Sequence, residues 1–187
     1  HVMATGLFDA DKICTYSDFP DWILTDPRWN EHLLFLDEIK HPKHASAVGA
    51  GYWFWKSVLI GHHLEELNDG DFIVYSDSDL LNQFNWTDRL MEAMVNQSRN
   101  GTCANLALYE MQYLERFYSK RDVYEQLCDG MDPASDESFS HAGGFVMIRK
   151  TPSSVQFVKE WIDHVANIQL ISNAAPTSTL PNIPGFK

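Results

Sequence analysis

Asp69-Gly70-Asp71-Phe72-Ile73-Val74-Tyr75-Ser76-Asp77-Ser78-Asp79-Leu80-Leu81-Asn82 is the stretch on which the fold turns. Asp69-Gly70 is a turn pair, and Phe72 to Tyr75 is a short apolar run rich in β-formers. Such a run between turn signals reads as a buried strand. It ends in two carboxylates, Asp77 and Asp79, and open α/β sheets collect ligands outside the carboxyl ends of their strands. A spacing of two puts both side chains on one side of a continuing strand. Two like charges that close repel unless a cation lies between them or one is protonated. Carboxylate oxygens suit Mg²⁺ or Mn²⁺. A solvated acidic turn is the other reading of the same residues, and both stay open.

Upstream, Gly49-Ala50-Gly51 opens Tyr52-Trp53-Phe54-Trp55-Lys56. From there Trp55, Val58, Leu59, His62, Glu66 and Leu67 recur with helical period. A glycine-rich entry to a helix offers N–H groups and a positive dipole end that suit a phosphate. The aromatic cluster fits a core or a pocket wall. Lys56 is the one cation among these rings, and it either pairs with a phosphate or sugar oxygen or snorkels to solvent. Further back, His41 to Ser46 reads as loop and Trp29 to Ile39 as helix after an Asp26-Pro27 turn. Val2 to Phe8 reads as a first strand. Its Ala4, Thr5 and Gly6 are small enough for a ligand to approach the backbone, although an ordinary strand has the same composition.

Downstream, Thr87 can cap a helix to about Asn96, with Leu90, Met91, Met94 and Val95 inward. Cys103 to Tyr109 reads as a strand ending at Glu110, and Met111 to Leu127 as a charge-laced helix. Asp129 to Ser140 is polar and turn-rich, a surface loop near the site. His141-Ala142-Gly143-Gly144 leads into Phe145-Val146-Met147-Ile148, a second buried strand. Paired glycines at a strand start imply close approach, to a ligand or to another segment. His141 beside them is a ligand contact or a structural histidine. Thr151-Pro152 starts the last helix as N-cap and first helical residue, with Val155, Val158, Trp161, Ile162 and Val165 on its core face.

The 187 residues fit one domain, 1–187, whose tail from about 173 is expected to lead to further sequence. Hydrophobic content of 44% and mean hydropathy of -0.29 describe a globular chain. A net charge of -12 argues against nucleic acid or an anionic membrane as partner. The three cysteines, Cys14, Cys103 and Cys128, form no C-x-x-C pair, so a reducing, cytoplasmic compartment is expected. No apolar run is long enough to span a bilayer, and the sequons at Asn85, Asn96 and Asn100 read as chance.

Strands alternating with helices, and an Asp-x-Asp at a strand end, resemble the GT-A fold of nucleotide-sugar glycosyltransferases. Gly51-Tyr52-Trp53-Phe54-Trp55-Lys56, then Asp69-Gly70-Asp71 and a strand closing in Asp77, resembles a family of capsular and chlorella-virus glycosyltransferases. Tyr118 to Tyr124 and Ala142-Gly143 to Trp161 are similar to it as well, so the resemblance runs from Gly49 to Trp161. It implies an α/β, Rossmann-like fold with a mixed, mostly parallel central sheet flanked by helices. It also implies a UDP-sugar donor, a glycan acceptor and transfer with retention of configuration. Asp77 and Asp79 would reach the diphosphate through Mn²⁺ or Mg²⁺, with Asp77 also near the ribose or sugar and Ser78 in the donor site between them. Ala4, Thr5 and Gly6 match the strand end that holds uridine, and Lys56 a basic donor contact. His141, Ala142 and Gly143 match the segment along the donor sugar, where His141 joins the catalytic set with Asp77 and Asp79.

Two departures qualify the resemblance. Many relatives have Asp-Ala-Gly where this chain has Asp77-Ser78-Asp79, and the second carboxylate here strengthens the metal reading. Relatives also carry a later segment with His, Asp and Gln that is not found before Lys187, so it lies further on or the activity differs. Two rivals come from other classes. A haloacid-dehalogenase-type phosphatase also has an apolar strand before Asp-x-Asp, with the first Asp as nucleophile, but its carboxylate strand usually comes first in the chain. A non-catalytic sugar-binding module would bind sugar without nucleotide or metal.

Overall fold

The computed structural model describes residues 13–33, 49–77, 87–99, 105–172, 176–178 and 180–186. In chain order these form α1 (Asp21–Leu24), α2 (Gly49–Tyr52), α3 (Trp55–Glu66), β1 (Phe72–Ser76), α4 (Thr87–Arg99) and β2 (Leu106–Leu114). Then come α5 (Arg121–Leu127), β3 (Phe139–Arg149), α6 (Pro152–Val165) and α7 (Ile168–Ile171). The strand expected at Val2 to Phe8 lies outside the described residues.

β1 and β3 are buried by alternation. Val146 and Ile148 of β3, with Ile73 and Tyr75 of β1, pack against Ile60 and Leu64 of α3 and Val158 of α6. Phe145 and Met147, with Phe72 and Val74, turn the other way onto Met94 and Leu90 of α4. Successive strand residues face opposite sides, so a continuous apolar run is what a strand covered on both faces requires. The result is three layers, helix–sheet–helix. A second apolar cluster extends the α3 side: Ile23, Trp29, Phe54, Val58, Leu59 and Val165 are all buried. Gly61 is where α3 and α6 meet, since a Cβ there would lie 2.6 Å from Ile162 Cδ1.

The sheet order is β1-β3-β2, and both pairings are antiparallel. β1 and β2 therefore run in the same direction on either side of β3. A mostly parallel sheet is the expectation from sequence; the described chain is mixed α and β, but its hydrogen-bonded strand pairs are antiparallel. Burial on both faces gives the same apolar run in either case, so the pattern is blind to direction.

Two expected boundaries move. Met111 to Leu114 belongs to β2 and not to a helix, and the helix in that region begins only at Arg121. Half of β2 is exposed, so neither period stands out; the partner strand decides, because β3 starts at Phe139, inside the expected 129–140 loop, and pairs Phe139 with Leu114. Other elements match their local signals. Thr151 caps α6 reciprocally with Ser154, and Pro152 opens the helix. Gly70 takes a positive φ of 92° in the turn before β1.

A buried ion pair ties the C-terminal segment to α5. Asp122 is 1% exposed and Lys120 4%, and Lys120 Nζ lies 3.3 Å from Asp122 Oδ2. Lys120 Nζ also donates to the Gln169 carbonyl. The Asp122 carboxylate accepts from the backbone N–H groups of Thr177 and Ser178, from the Thr177 hydroxyl and from the Gln169 amide. Burial pushes its pKa up, but those hydrogen bonds outweigh burial and hold it below the usual carboxylate range. A depressed folded-state pKa contributes stability that is present above the unfolded value and lost as pH falls through the folded one. Asp122→Ala is expected to cost about 3 kcal/mol in denaturant unfolding at pH 7, because it strands the buried Lys120 cation. Below about pH 4 the wild type is expected to lose stability more steeply than this variant.

Candidate functional site

The carboxyl end of β1 is built by the same alternation that buries the strand. Tyr75 faces α3, and Asp77, two residues on, lies on the same side. The Tyr75 hydroxyl donates to Asp77 Oδ1 at 2.5 Å. Lys56 Nζ donates to Asp77 Oδ2 at 2.8 Å and to the Gly143 carbonyl at 3.1 Å. The lysine enters the interior from the first turn of α3, and Nζ sits 5.8 Å from the Trp55 ring centroid and 5.5 Å from that of Tyr75. Its side chain is only 9% exposed, against 33% for Asp77.

The backbone before α3 aims this lysine. Gly49, Gly51, Tyr52 and Trp53 all have positive φ. Gly49 has no alternative, since a Cβ there would fall 2.2 Å from the Trp53 ring. Left-handed Tyr52 and Trp53 each cost roughly 1–2 kcal/mol, which the buried cluster of Trp29, Phe54 and Val58 offsets. The glycine-rich entry expected to present N–H groups to a phosphate is thus a left-handed turn that places a side-chain cation.

The third wall is a bulge in β3. Leu108 pairs with Val146 and Tyr109 with Ala142, so Gly143, Gly144 and Phe145 have no opposite residue on β2. On the other side Phe145 still pairs with Ser76, and the Asp77 N–H donates to the Gly144 carbonyl at 2.8 Å. The close approach predicted for the paired glycines is therefore to Lys56 and Asp77, through both glycine carbonyls. Among the described residues a Cβ built on Gly143 meets nothing within 4 Å.

Of the residues expected at the site, the structure brings Lys56, Asp77 and Gly143 together, with Ala142 half-buried beside them. His141 is exposed and stands cross-strand from Glu110, two residues from Gly143. Ala4, Thr5, Gly6, Ser78 and Asp79 lie outside the described residues. Sequence reasoning missed Tyr75, Trp55 and Gly144 as parts of the site. The signal for Tyr75 was present, since a residue two before Asp77 on a strand shares its side.

The arrangement leaves chemistry to spare. A carboxylate has about four lone-pair positions, and among the described residues one side-chain contact to each Asp77 oxygen leaves about two. An ammonium has three N–H groups, and among the described residues Lys56 uses two. The site can both accept from hydroxyls and donate to an anionic oxygen. The hard oxygens of Asp77 fit Mg²⁺ or Mn²⁺. Lys56 already offsets the charge of Asp77, which by itself would weaken a hold on a divalent ion. A separate group, His62, His63 and Glu66, brings three possible metal-ligand atoms within 4.8 Å on α3. Both ring nitrogens of His63 are already engaged, by Tyr16 at 2.6 Å and by Glu66 at 3.3 Å, so a metal there would have to displace one of them.

Among the described residues no helix is long and apolar enough to cross a membrane. Comparison of the chain with protein-family models, with curated proteins and with solved structures finds no match in any of the three.

The two halves of the ion pair should not be equivalent. Asp77→Ala leaves a desolvated cation, whereas Lys56→Met leaves a carboxylate that water reaches. Asp77→Ala is expected to cost about 3 kcal/mol in chemical unfolding and Lys56→Met about 1 kcal/mol. Equal losses would show that Lys56 is solvated when unpaired.

Proposed function

We propose that this protein is a metal-dependent glycosyltransferase that moves a sugar from a UDP-sugar donor to a hydroxyl of a glycan or other acceptor, with retention of configuration. The observation that supports this reading is the Lys56–Asp77–Gly143 cluster at the carboxyl end of β1. A cation held in a desolvated position, with a donor to spare, suits a leaving diphosphate on a chain that otherwise repels anions. The fixed carboxylate and open bulge suit sugar hydroxyls next to it. The described sheet is antiparallel, so the GT-A architecture rests on the resemblance; among the described residues β1 pairs only with β3.

In this reading the bond from the anomeric carbon to the diphosphate oxygen breaks, a bond from the acceptor oxygen forms, and the acceptor's hydroxyl proton passes to the leaving diphosphate. Positive charge develops on the sugar and negative charge on the leaving diphosphate. Lys56 donates to that oxygen from a preorganised position, a kind of term worth roughly 3 kcal/mol. Asp77 holds sugar or ribose hydroxyls, and Ala142 and Gly143 lie along the sugar with His141 at their edge. Asp77 and Asp79 are the residues that would hold Mn²⁺ or Mg²⁺, which supplies Lewis-acid charge at the diphosphate. Ala4, Thr5 and Gly6 are assigned to the uridine and Ser78 to the donor site, on the resemblance alone.

One observation favours a second reading. Both Asp77 oxygens are already hydrogen-bonded within the protein, an arrangement that also serves a sugar-binding module needing neither nucleotide nor metal.

Calorimetric titration of UDP with Mn²⁺ and with EDTA separates the two readings. Binding is expected only with the metal, and Asp79→Ala should abolish it; metal-independent or absent binding overturns the transferase. Gly143→Ala enters open space, so it should change stability by less than about 0.5 kcal/mol while weakening donor binding about ten-fold or more through steric overlap with the sugar. An unaltered affinity would remove the bulge from the site. With a turnover assay in hand, the anomeric NMR signal of the first-formed product should show retained configuration.

A further inference from the structure

The strand pair that carries the bulge also carries exposed aromatic rings that the donor site does not use. Tyr109 and Tyr113, four apart on β2, are 57% and 50% exposed, and Tyr118 after the strand is 41% exposed. The rings of Tyr113 and Tyr118 lie 5.6 Å apart, tilted by 46°. Exposed large side chains scattered singly need no explanation, but neighbouring rings on one strand end do. The surface approaches the donor cluster through the backbone of β3. Tyr109 stands cross-strand from Ala142, whose neighbour Gly143 receives the Lys56 hydrogen bond. Beyond it Glu110 stands opposite His141, both exposed.

We infer that Tyr109, Tyr113 and Tyr118 form the acceptor subsite and hold a neutral oligosaccharide, with the sugar to be extended nearest Tyr109 and Gly143. Three features select that occupant. Tyrosine presents a flat apolar ring and a hydroxyl at little cost in rotamer freedom, which matches the apolar faces and hydroxyl rims of sugar rings. The cations nearest these rings, Arg116, Lys120 and Arg121, are engaged with the Asp136 carbonyl, Asp122 and Glu125, so they are not the free basic cluster that an anionic polymer would need. The net charge of -12 disfavours an acidic chain further. A sugar bound along β2 would reach the open side of Gly143, where the donor sugar is proposed to lie.

The word acceptor rests on the transferase reading; the tyrosine surface itself does not. Saturation-transfer NMR on the whole chain, with maltotriose, cellotriose, mannotriose and galactotriose as probes, tests it with and without UDP and Mn²⁺. At least one probe should bind. Tyr109→Ala and Tyr113→Ala should each weaken it about five-fold, while Tyr113→Phe, which keeps the ring, changes it less than about two-fold. All three variants should keep the wild-type UDP affinity. UDP binding without any trisaccharide binding overturns this inference and leaves the donor reading standing. Trisaccharide binding at the tyrosines without UDP binding keeps the surface and overturns the transferase, as a sugar-binding module requires. Trisaccharide binding that the alanine variants do not weaken places the sugar elsewhere and overturns the inference.

Discussion

Lys56 carries its charge into the protein, and Asp77 is there to receive it. A desolvated ammonium is costly unless its donors are satisfied. Here a carboxylate and a backbone carbonyl do so, with two aromatic rings alongside. The pair fixes more than itself. It holds the first turn of α3 to the end of β1 and pulls the β3 bulge in beside both. Because Tyr75 anchors the other Asp77 oxygen, the carboxylate has one orientation before any ligand arrives.

The layers around the pair explain why it can persist. β3 is the middle strand and is covered by helices on both faces, so it cannot shift without exposing Val146 and Ile148 or Phe145 and Met147. The bulge at Gly143 interrupts its pairing with β2 but not with β1, so flexibility of shape is confined to one edge. Far from this site, the Lys120–Asp122 pair repeats the same device with a different use. Its carboxylate is consumed entirely by the chain, through Thr177, Ser178 and Gln169, and almost none of it meets water. The Lys56–Asp77 pair is partly exposed at its carboxylate and, among the described residues, keeps lone pairs open; the Lys120–Asp122 pair is saturated and serves as a clasp.

Much of this was readable in the residues. Phe145 to Ile148 is the buried strand its apolar run predicts, Phe72 to Tyr75 is a strand that is only partly buried, and Thr151-Pro152 opens a helix by its capping chemistry. Lys56 among aromatics, and the paired glycines before Phe145, were recognisable as special. What could not be read was what each was special for. The glycines accommodate Lys56 and Asp77 and leave a gap beyond; their one-letter pattern is the same when the partner is a ligand. The extension of β2 through Leu114 was hidden because its outer half is exposed and shows neither period.

Amino-acid order alone therefore determined the local elements: which runs are buried, where helices start, and that Tyr75 and Asp77 share a side. These depend on periods of two and 3.6 and on caps that act within a few residues. Tertiary structure alone decided the antiparallel direction of the sheet, the bulge, and the meeting of Lys56 with Asp77 and Gly143. Strand direction follows from how distant runs pair, and a doubly buried run is equally apolar either way. The meeting at the site joins residues 21 and 87 positions apart, where sequence patterns carry no distance information.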